Sequence, residues 1–477
     1  MESWIKEWLK QQRAAGEKCL EIKVIQNKPY VYHSTSRYDP VEKKPKKVSK
    51  YLGRLDKEFG IIRKEDRFPG KKVQIRSIFE YGNAAIIHEE LKELEGTLKK
   101  AFPDIYAEII AIVTARMGGY VPLRRVDAIW SKLFNMWGVK PDCDPKNLSK
   151  VLHQIGQNRL SQQKVFSYLA TMSEQLIYDL SFIESHSTNI SFNENAYVSE
   201  GVYHHHHHIA LFCSCDSGLP VMIRSIPGSV NDVKTLELSL KEIDMDGKIL
   251  LLDRGFISEN NYEDLLSRKI QFIMPLKRDS IHYQTRIHLN SNFMFQSRLI
   301  HCGKRKINDY TLYQYEDEDL ALEERKTLYK RFKRGDISRN ELNERLKKAG
   351  LVLFLTTVDI PEQEVYELYK SRDMVEKHFD TFKNELHADK VYLRTNEALF
   401  GHIFTSFLSL FVYQKIVNRL KGANLIAHYS PHDVLTRFSA IYKCKVGERD
   451  ELTEIPKKVR ALAEDLNYHI FPNQSRF

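Results

Sequence analysis

The 477-residue sequence predicts an α/β fold, and three observations carry that prediction. The middle of the chain runs through strand-like segments, "LIYDLSFIE", "HHIALFCSCDS" and "LPVMIRSIP", the last two joined by the turn residues Asp216, Ser217 and Gly218. Helix and strand patterns then alternate. "VKTLELSLKEI" has an Asn/Asp start suited to a helix, "KILLLDRGF" is apolar on both faces like a central strand, "NYEDLLSRK" is helical and "QFIMPLK" is again a strand. After residue 386, "HADKVYLRTNEALFGHIFTSFLSLFVYQKIVNRL" is helical and apolar enough to pack on a sheet.

Taken from the start, a short amphipathic segment precedes "CLEIKVIQNKPYVYHSTSRYDP", which alternates and turns at Asn27, Lys28 and Pro29 like a β-hairpin. Lys43, Lys44, Lys46 and Lys47 follow in "KKPKKVSKYLGRLD", close to Tyr30, Tyr32, Tyr38 and Tyr51. A second basic run, "RFPGKKVQIR", holds Arg67, Lys71 and Lys72. Residues 1–85 thus suit a basic, β-containing region that tracks phosphates, with a solvated lysine loop as the plainer reading. Residues 86–170 carry apolar residues at helix spacing and predict an all-α connector or end-binding domain. The strands and helices of 171–280 follow the order of an RNase H-like fold, which resumes over 361–420. Between them, 281–360 reads as a largely β insertion whose second charged helix has capping-box spacing at Ser338 and Glu341. The C-terminal region, 421–477, is mixed.

Composition narrows the function classes. Hydrophobic residues at 42% and charged residues at 29% describe a globular protein, and 73 Lys+Arg against 63 Asp+Glu give a net charge of +10 that favours a polyanionic partner. The six cysteines show no metal-binding or disulfide-like spacing, which fits reduced thiols in a cytosol. The charged start "MESWIKEWLKQQRAAGEK" lacks the apolar core of a secretory signal, and no apolar run reaches the ~18–20 residues of a membrane span. A cytoplasmic protein without a membrane partner is expected.

Three acids carry the chemistry. Alternation in "LIYDLSF" puts Ile177, Asp179 and Ser181 on one strand face, and an aspartate inside a strand runs against propensity. Asp253 ends the apolar run "ILLL", at a strand end where open α/β sheets place their active-site groups. Glu376 belongs to "YELYKSRDMVEKHFDTFKNEL" with Tyr369, Arg372 and Lys383. At about 100° per residue these four project within roughly 60° of one another on a single helix. Val375, Phe379, Phe382 and Leu386 lie beside them, so the polar stripe borders a buried face. Read plainly, Arg372 and Glu376 are a surface i,i+4 ion pair. Read together with Asp179 and Asp253, the carboxylates could converge at one sheet edge and supply the oxygen ligands that Mg²⁺ prefers. Two such ions can activate a water or a 3′-hydroxyl against a phosphodiester.

At these residues the sequence resembles the DDE transposases of bacterial and archaeal insertion sequences, in the group with a Y-x2-R-x3-E-x6-K signature. Tyr369, Arg372, Glu376 and Lys383 match all four positions; "YDLS" and "LLDRGF" resemble the two aspartate motifs, "PGSVND" the Gly-x3-Asp segment. The resemblance implies that Asp179, Asp253 and Glu376 hold two Mg²⁺ ions, with Mn²⁺ able to substitute, while Tyr369, Arg372 and Lys383 bind phosphates. It implies cleavage at the ends of an insertion sequence and strand transfer by the 3′-hydroxyl. It further implies double-stranded DNA at terminal inverted repeats and at the target as partners, a homodimeric synaptic complex, and a place at the nucleoid. The other class is a catalytically inactive or repurposed transposase that only binds DNA. The histidines at 204–208 depart from the family pattern; alternation puts His204, His206 and His208 on one face, as a weak metal site or a solvated or phosphate-touching strand start. Ser181 stands where threonine is common in the family.

Overall fold

The computed structural model describes residues 2–40, 42–63, 75–185, 187, 189–199, 202–230, 232–256, 259–389, 391–446 and 449–471. The chain divides into two compact units, Met1–Ser77 with Lys445–Asp450, and Ile78–Cys444 with Glu451–Phe477.

In the first unit a helix, Ser3–Ala14, accompanies a four-stranded antiparallel sheet of β1 (Leu20–Ile25), β2 (Lys28–Asp39), β3 (Lys44–Asp56) and β4 (Gly60–Ile62), paired in sequence order. Its small core is Ile5, Val31 and Leu55, ringed by Trp4, Trp8, Leu20, Ile22, Leu52 and Ile61. The first hairpin turns one residue earlier than the sequence suggested. Gln26 and Asn27 both have positive φ, as a two-residue primed turn requires, and Pro29 lies inside β2 opposite Val24. Lys43, Lys44, Lys46 and Lys47 occupy the end of the β2–β3 hairpin. Three of them have acidic neighbours: Lys47 with Glu21 at 2.7 Å, Lys44 with Glu42 at 3.4 Å and Lys46 with Asp39 at 3.7 Å. Arg67, Lys71 and Lys72 lie outside the described residues.

The second unit begins with β5 (Ile75–Glu80, which straddles the boundary) and the helices Gly82–Ala101, Tyr106–Arg116, Val126–Trp130, Pro145–Gln157 and Arg159–Ala170. A mixed sheet of ten strands follows. It comprises β6 (Gln175–Glu184), β7 (Glu194–Ser199), β8 (Val202–Ser214), β9 (Pro220–Pro227), β10 (Ile249–Leu251), β11 (Gln271–Pro275), β12 (Ser291–Phe295), β13 (Arg298–Ile307), β14 (Tyr310–Asp317) and β15 (Leu351–Thr356). β6 and β9 are antiparallel to β8, whereas β10 lies between β6 and β11 and is parallel to both. β15 then pairs antiparallel with β11, and β14, β13 and β12 continue outward, so the residues between β11 and β15 extend the same sheet. Two helices, Glu318–Arg334 and Arg339–Lys347, separate β14 from β15; left-handed Gly335 ends the first, and a complete Ser338/Glu341 capping box starts the second.

The helix Asn396–Gly422 is the centre of the unit and packs on Pro145–Gln157, Tyr106–Arg116 and β9. Its length and composition would let it cross a membrane, but 83% of its apolar window is buried within the protein. His402 on this helix is enclosed: its Nδ1 accepts from Arg116 at 3.1 Å and its Nε2 donates to the Ala388 carbonyl at 2.9 Å. Burial, and then the Arg116 charge, push its pKa from 6.5 to about 3. Because the folded value lies below the unfolded one, this contribution to stability is complete above pH 6.5 and is lost as pH falls toward 3. At pH 5 the loss reaches about 2 kcal/mol. Urea unfolding at pH 7.5 and 5 is therefore expected to show a difference that shrinks by about that amount in His402→Gln; an unchanged difference would remove His402 as its source.

Candidate active site

Period-two alternation in β6 turns Tyr178 toward Phe212 and Phe256, while Asp179 and Ser181 face Arg372 and Lys383. Asp253 lies two residues beyond β10, where the apolar strand gives way to a turn. The third carboxylate comes from the 366–386 stretch, which is not one regular helix. Helix Glu362–Lys370 stops at Ser371, whose hydroxyl donates to the Leu368 carbonyl at 2.6 Å; helix Asp373–Asp380 follows, then a π turn over Thr381–Glu385. A serine hydroxyl that bonds back to the preceding turn competes with the helical ladder, and a π turn shifts the phase of whatever comes after it. The apolar border is as expected, with Val375, Phe379, Phe382 and Leu386 buried.

The polar residues consequently meet different partners. Tyr369 packs its ring on Phe354 at 4.6 Å, and the Arg372 guanidinium lies 5.8 Å from the Tyr369 ring. Arg372 reaches all three acids: Nη1 is 3.2 Å from Asp253 and 3.6 Å from Asp179, and Nη2 is 3.4 Å from Glu376. Lys383 donates to the Ser181 hydroxyl at 2.7 Å and sits 5.0 Å from the Phe182 ring. Asp179 and Arg372 are largely covered, whereas the Glu376 side chain is 61% exposed. Burial raises the pKa of Asp179 to about 6 against the opposing pull of the Leu180 N–H and of Arg372. Burial also lowers the pKa of Lys383. Burial works against the charge of Arg372, but Asp253, Tyr369, Asp179 and Glu376 outweigh it and raise its pKa.

Ser181, which the sequence puts on the Asp179 face, accepts from Lys383. Two further features were not singled out from the sequence. Buried His378 lies 2.7 Å from the Met374 carbonyl and 3.0 Å from that of Gly218, fastening the Glu376 helix to the β8–β9 turn. Arg254, next in sequence to Asp253, lines a cleft of about 840 Å³ with Lys277, Arg278, Arg331, Arg345 and Lys348 among acidic and apolar neighbours. Its signals were the "DRGF" and "PLKRD" segments, but only the fold brings them to the two helices before β15.

Of the β8 histidines, His206 and His207 are buried, His208 is half-buried and His205 is exposed, with His207 Nδ1 2.8 Å from Asn193 Oδ1 and His208 Nε2 3.0 Å from the Gly228 carbonyl. Among the described residues no three His, Cys, Asp or Glu side chains are grouped to hold an ion as they stand. At the carboxylate cluster, a guanidinium holds the centre. The donor set itself, three carboxylates without thiol or imidazole, fits a hard divalent cation.

Residues 172–412, half of the chain, match the family of transposase DDE domains. The chain belongs to that family. The match takes in Asp179, Asp253 and Glu376, together with β6 to β15 and much of the central helix. No curated protein matches the chain. Among solved structures, the cryo-EM structure of a piggyBac transposase synaptic complex with hairpin DNA is similar at 13% identity, over 83% of this chain and 87% of that one. Its TM-score of 0.36 is too low for the superposition to carry an argument.

Proposed function

We propose that this chain is an active DNA transposase that cleaves at the ends of an insertion sequence and joins the freed 3′-hydroxyl to target DNA. The observation that carries the reading is the meeting of Asp179, Asp253 and Glu376, from a strand, a strand end and a helix, around one guanidinium. The strand order β9-β8-β6-β10-β11, antiparallel and then parallel, supports an RNase H-like centre for this site. Asp179, Asp253 and Glu376 would hold two Mg²⁺, or Mn²⁺ in their place, which supply an activated oxygen nucleophile and a stabilised leaving oxygen. Tyr369, Arg372 and Lys383 bind phosphates of the element end and orient the strand for attack, Arg372 through its two-pronged fork and Lys383 as a point charge.

The Lys43, Lys44, Lys46 and Lys47 hairpin end, with Arg67, Lys71 and Lys72, adds sequence-independent grip on the duplex, and the 86–170 helices contribute to end binding. Two ends call for two copies, hence a homodimer in the synaptic complex, working at the nucleoid of the cytoplasm. The test is cleavage of a duplex carrying the inverted repeats that flank the gene. Mg²⁺-dependent cuts at the repeat boundary, stopped by EDTA, are expected. Binding without cleavage in both Mg²⁺ and Mn²⁺ would instead leave a DNA-binding protein derived from a transposase.

A further inference from the structure

We propose that Arg372 is the resident counter-cation of the catalytic carboxylates, giving way to divalent ions only when a DNA phosphate draws it off, so that DNA and metal bind cooperatively. The inference rests on the catalytic reading of Asp179, Asp253 and Glu376. Its geometry is that of one guanidinium within 3.6 Å of all three acids, with a single nitrogen shared between Asp179 and Asp253. An arginine keeps its charge at any working pH, so it cannot vacate the site by losing a proton. A divalent cation bound to the same oxygens would meet that fixed positive charge at contact range, in a setting where Arg372 and Asp179 are only 17% and 16% exposed. The two cations therefore compete for one set of donors.

Lys383 provides the contrast within the same stretch of chain. It too is a candidate phosphate ligand, yet it rests on the neutral hydroxyl of Ser181 and not on an acid. Only one of the two cations is placed as a plug. Arg372 also has somewhere to go. It sits at the break between two helices, beside the Tyr369 ring, and its planar fork matches a phosphate as well as it matches a carboxylate. A phosphate that takes the guanidinium frees the oxygens for metal; by linkage, metal that displaces the guanidinium frees it for phosphate. The reciprocal gain keeps the centre unassembled until DNA is in place.

The decisive measurement is Mn²⁺ titration by electron paramagnetic resonance on full-length protein without DNA. Arg372→Met is expected to bind Mn²⁺ about 5–150-fold more tightly than wild type, the usual range of coupling between sites. Adding the element-end duplex should raise the Mn²⁺ affinity of wild type and leave that of Arg372→Met unmoved. Equal Mn²⁺ affinity in the two proteins without DNA overturns the proposal. Asp253→Asn in the Arg372→Met background separates this failure from a deeper one. If it weakens Mn²⁺ binding the carboxylates are the metal site, and if it does not, the catalytic reading falls and takes the counter-cation with it. Should Arg372→Met not fold, Arg372→Lys keeps a charge with a single point of attachment and should still exceed wild type; an affinity no greater than wild type overturns the proposal as well.

Discussion

Asp253→Asn is expected to lower Mg²⁺-dependent cleavage at the element end by about 10³-fold or more while leaving DNA binding in EDTA unchanged or slightly tighter. The replacement keeps the shape of the side chain and removes only its charge. Asp253 is partly open and pairs with Arg372 at 3.2 Å, and Arg372 keeps Asp179 and Glu376 as partners when the amide takes its place. Folding should therefore be close to normal. The chemistry should not be, because a neutral amide oxygen is a poor ligand for a hard dication and leaves the attacking and leaving oxygens of the phosphodiester without their charge partner. Binding without metal follows a different rule: phosphates are held by Lys and Arg, and removing a negative charge near the strand favours it. Gel-shift and cleavage assays on the same duplex separate the two effects. A mutant that still cleaves within tenfold of wild type would take Asp253 out of the reaction. Asp336→Asn, on the exposed turn between the two charged helices, serves as the control that changes neither.

What could be read from the residues, and what could not, follows the range of the interactions involved. Faces are local, so the period-two alternation of β6 puts Asp179 and Ser181 on one side, and the apolar run before Asp253 reveals a strand end. The capping box at Ser338 and Glu341 is likewise legible, since it is made within four residues. The single helix expected over 366–386 is not what forms, because two small competitors act there, the back-bonded hydroxyl of Ser371 and the π turn at Thr381–Glu385. Neither leaves a signal in apolar spacing. The first hairpin shows the same limit at smaller scale: Pro29 drew the turn toward itself, whereas Gln26 and Asn27 take the left-handed conformation. Long-range pairing was out of reach altogether. Nothing in "LVLFLTT" tells that β15 returns beside β11 and joins the intervening strands to the sheet that carries Asp179. The central position of Arg372 was hidden for the same reason, since spacing gives the side of a helix but not what waits opposite it.

The packing that holds the site in place yields the second large effect, Gly401→Ala. On an open helix surface, exchanging Gly for Ala gains up to about 1 kcal/mol. Gly96, with nothing near the position a methyl would take, should behave that way. Gly401 should do the reverse, with a loss of about 3 kcal/mol or more. It lies where the helix Asn396–Gly422 crosses Pro145–Gln157, and a methyl there would overlap the Leu152 carbonyl; Gly156 on the other helix faces the Glu397 backbone in the same way. The obstacle on both sides is main chain, which cannot move aside as a side chain can, so the helices must separate. That separation has a path to the chemistry. Asn418 on the central helix donates to the Ser217 carbonyl at 2.7 Å, the neighbouring Gly218 carbonyl meets His378, and His378 is fixed on the helix that carries Glu376. Thermal unfolding of Gly401→Ala beside Gly96→Ala tests the steric claim. Cleavage by any folded Gly401→Ala protein then tests the path, because activity retained in full would mean that the Glu376 helix holds its place without the crossing beneath it.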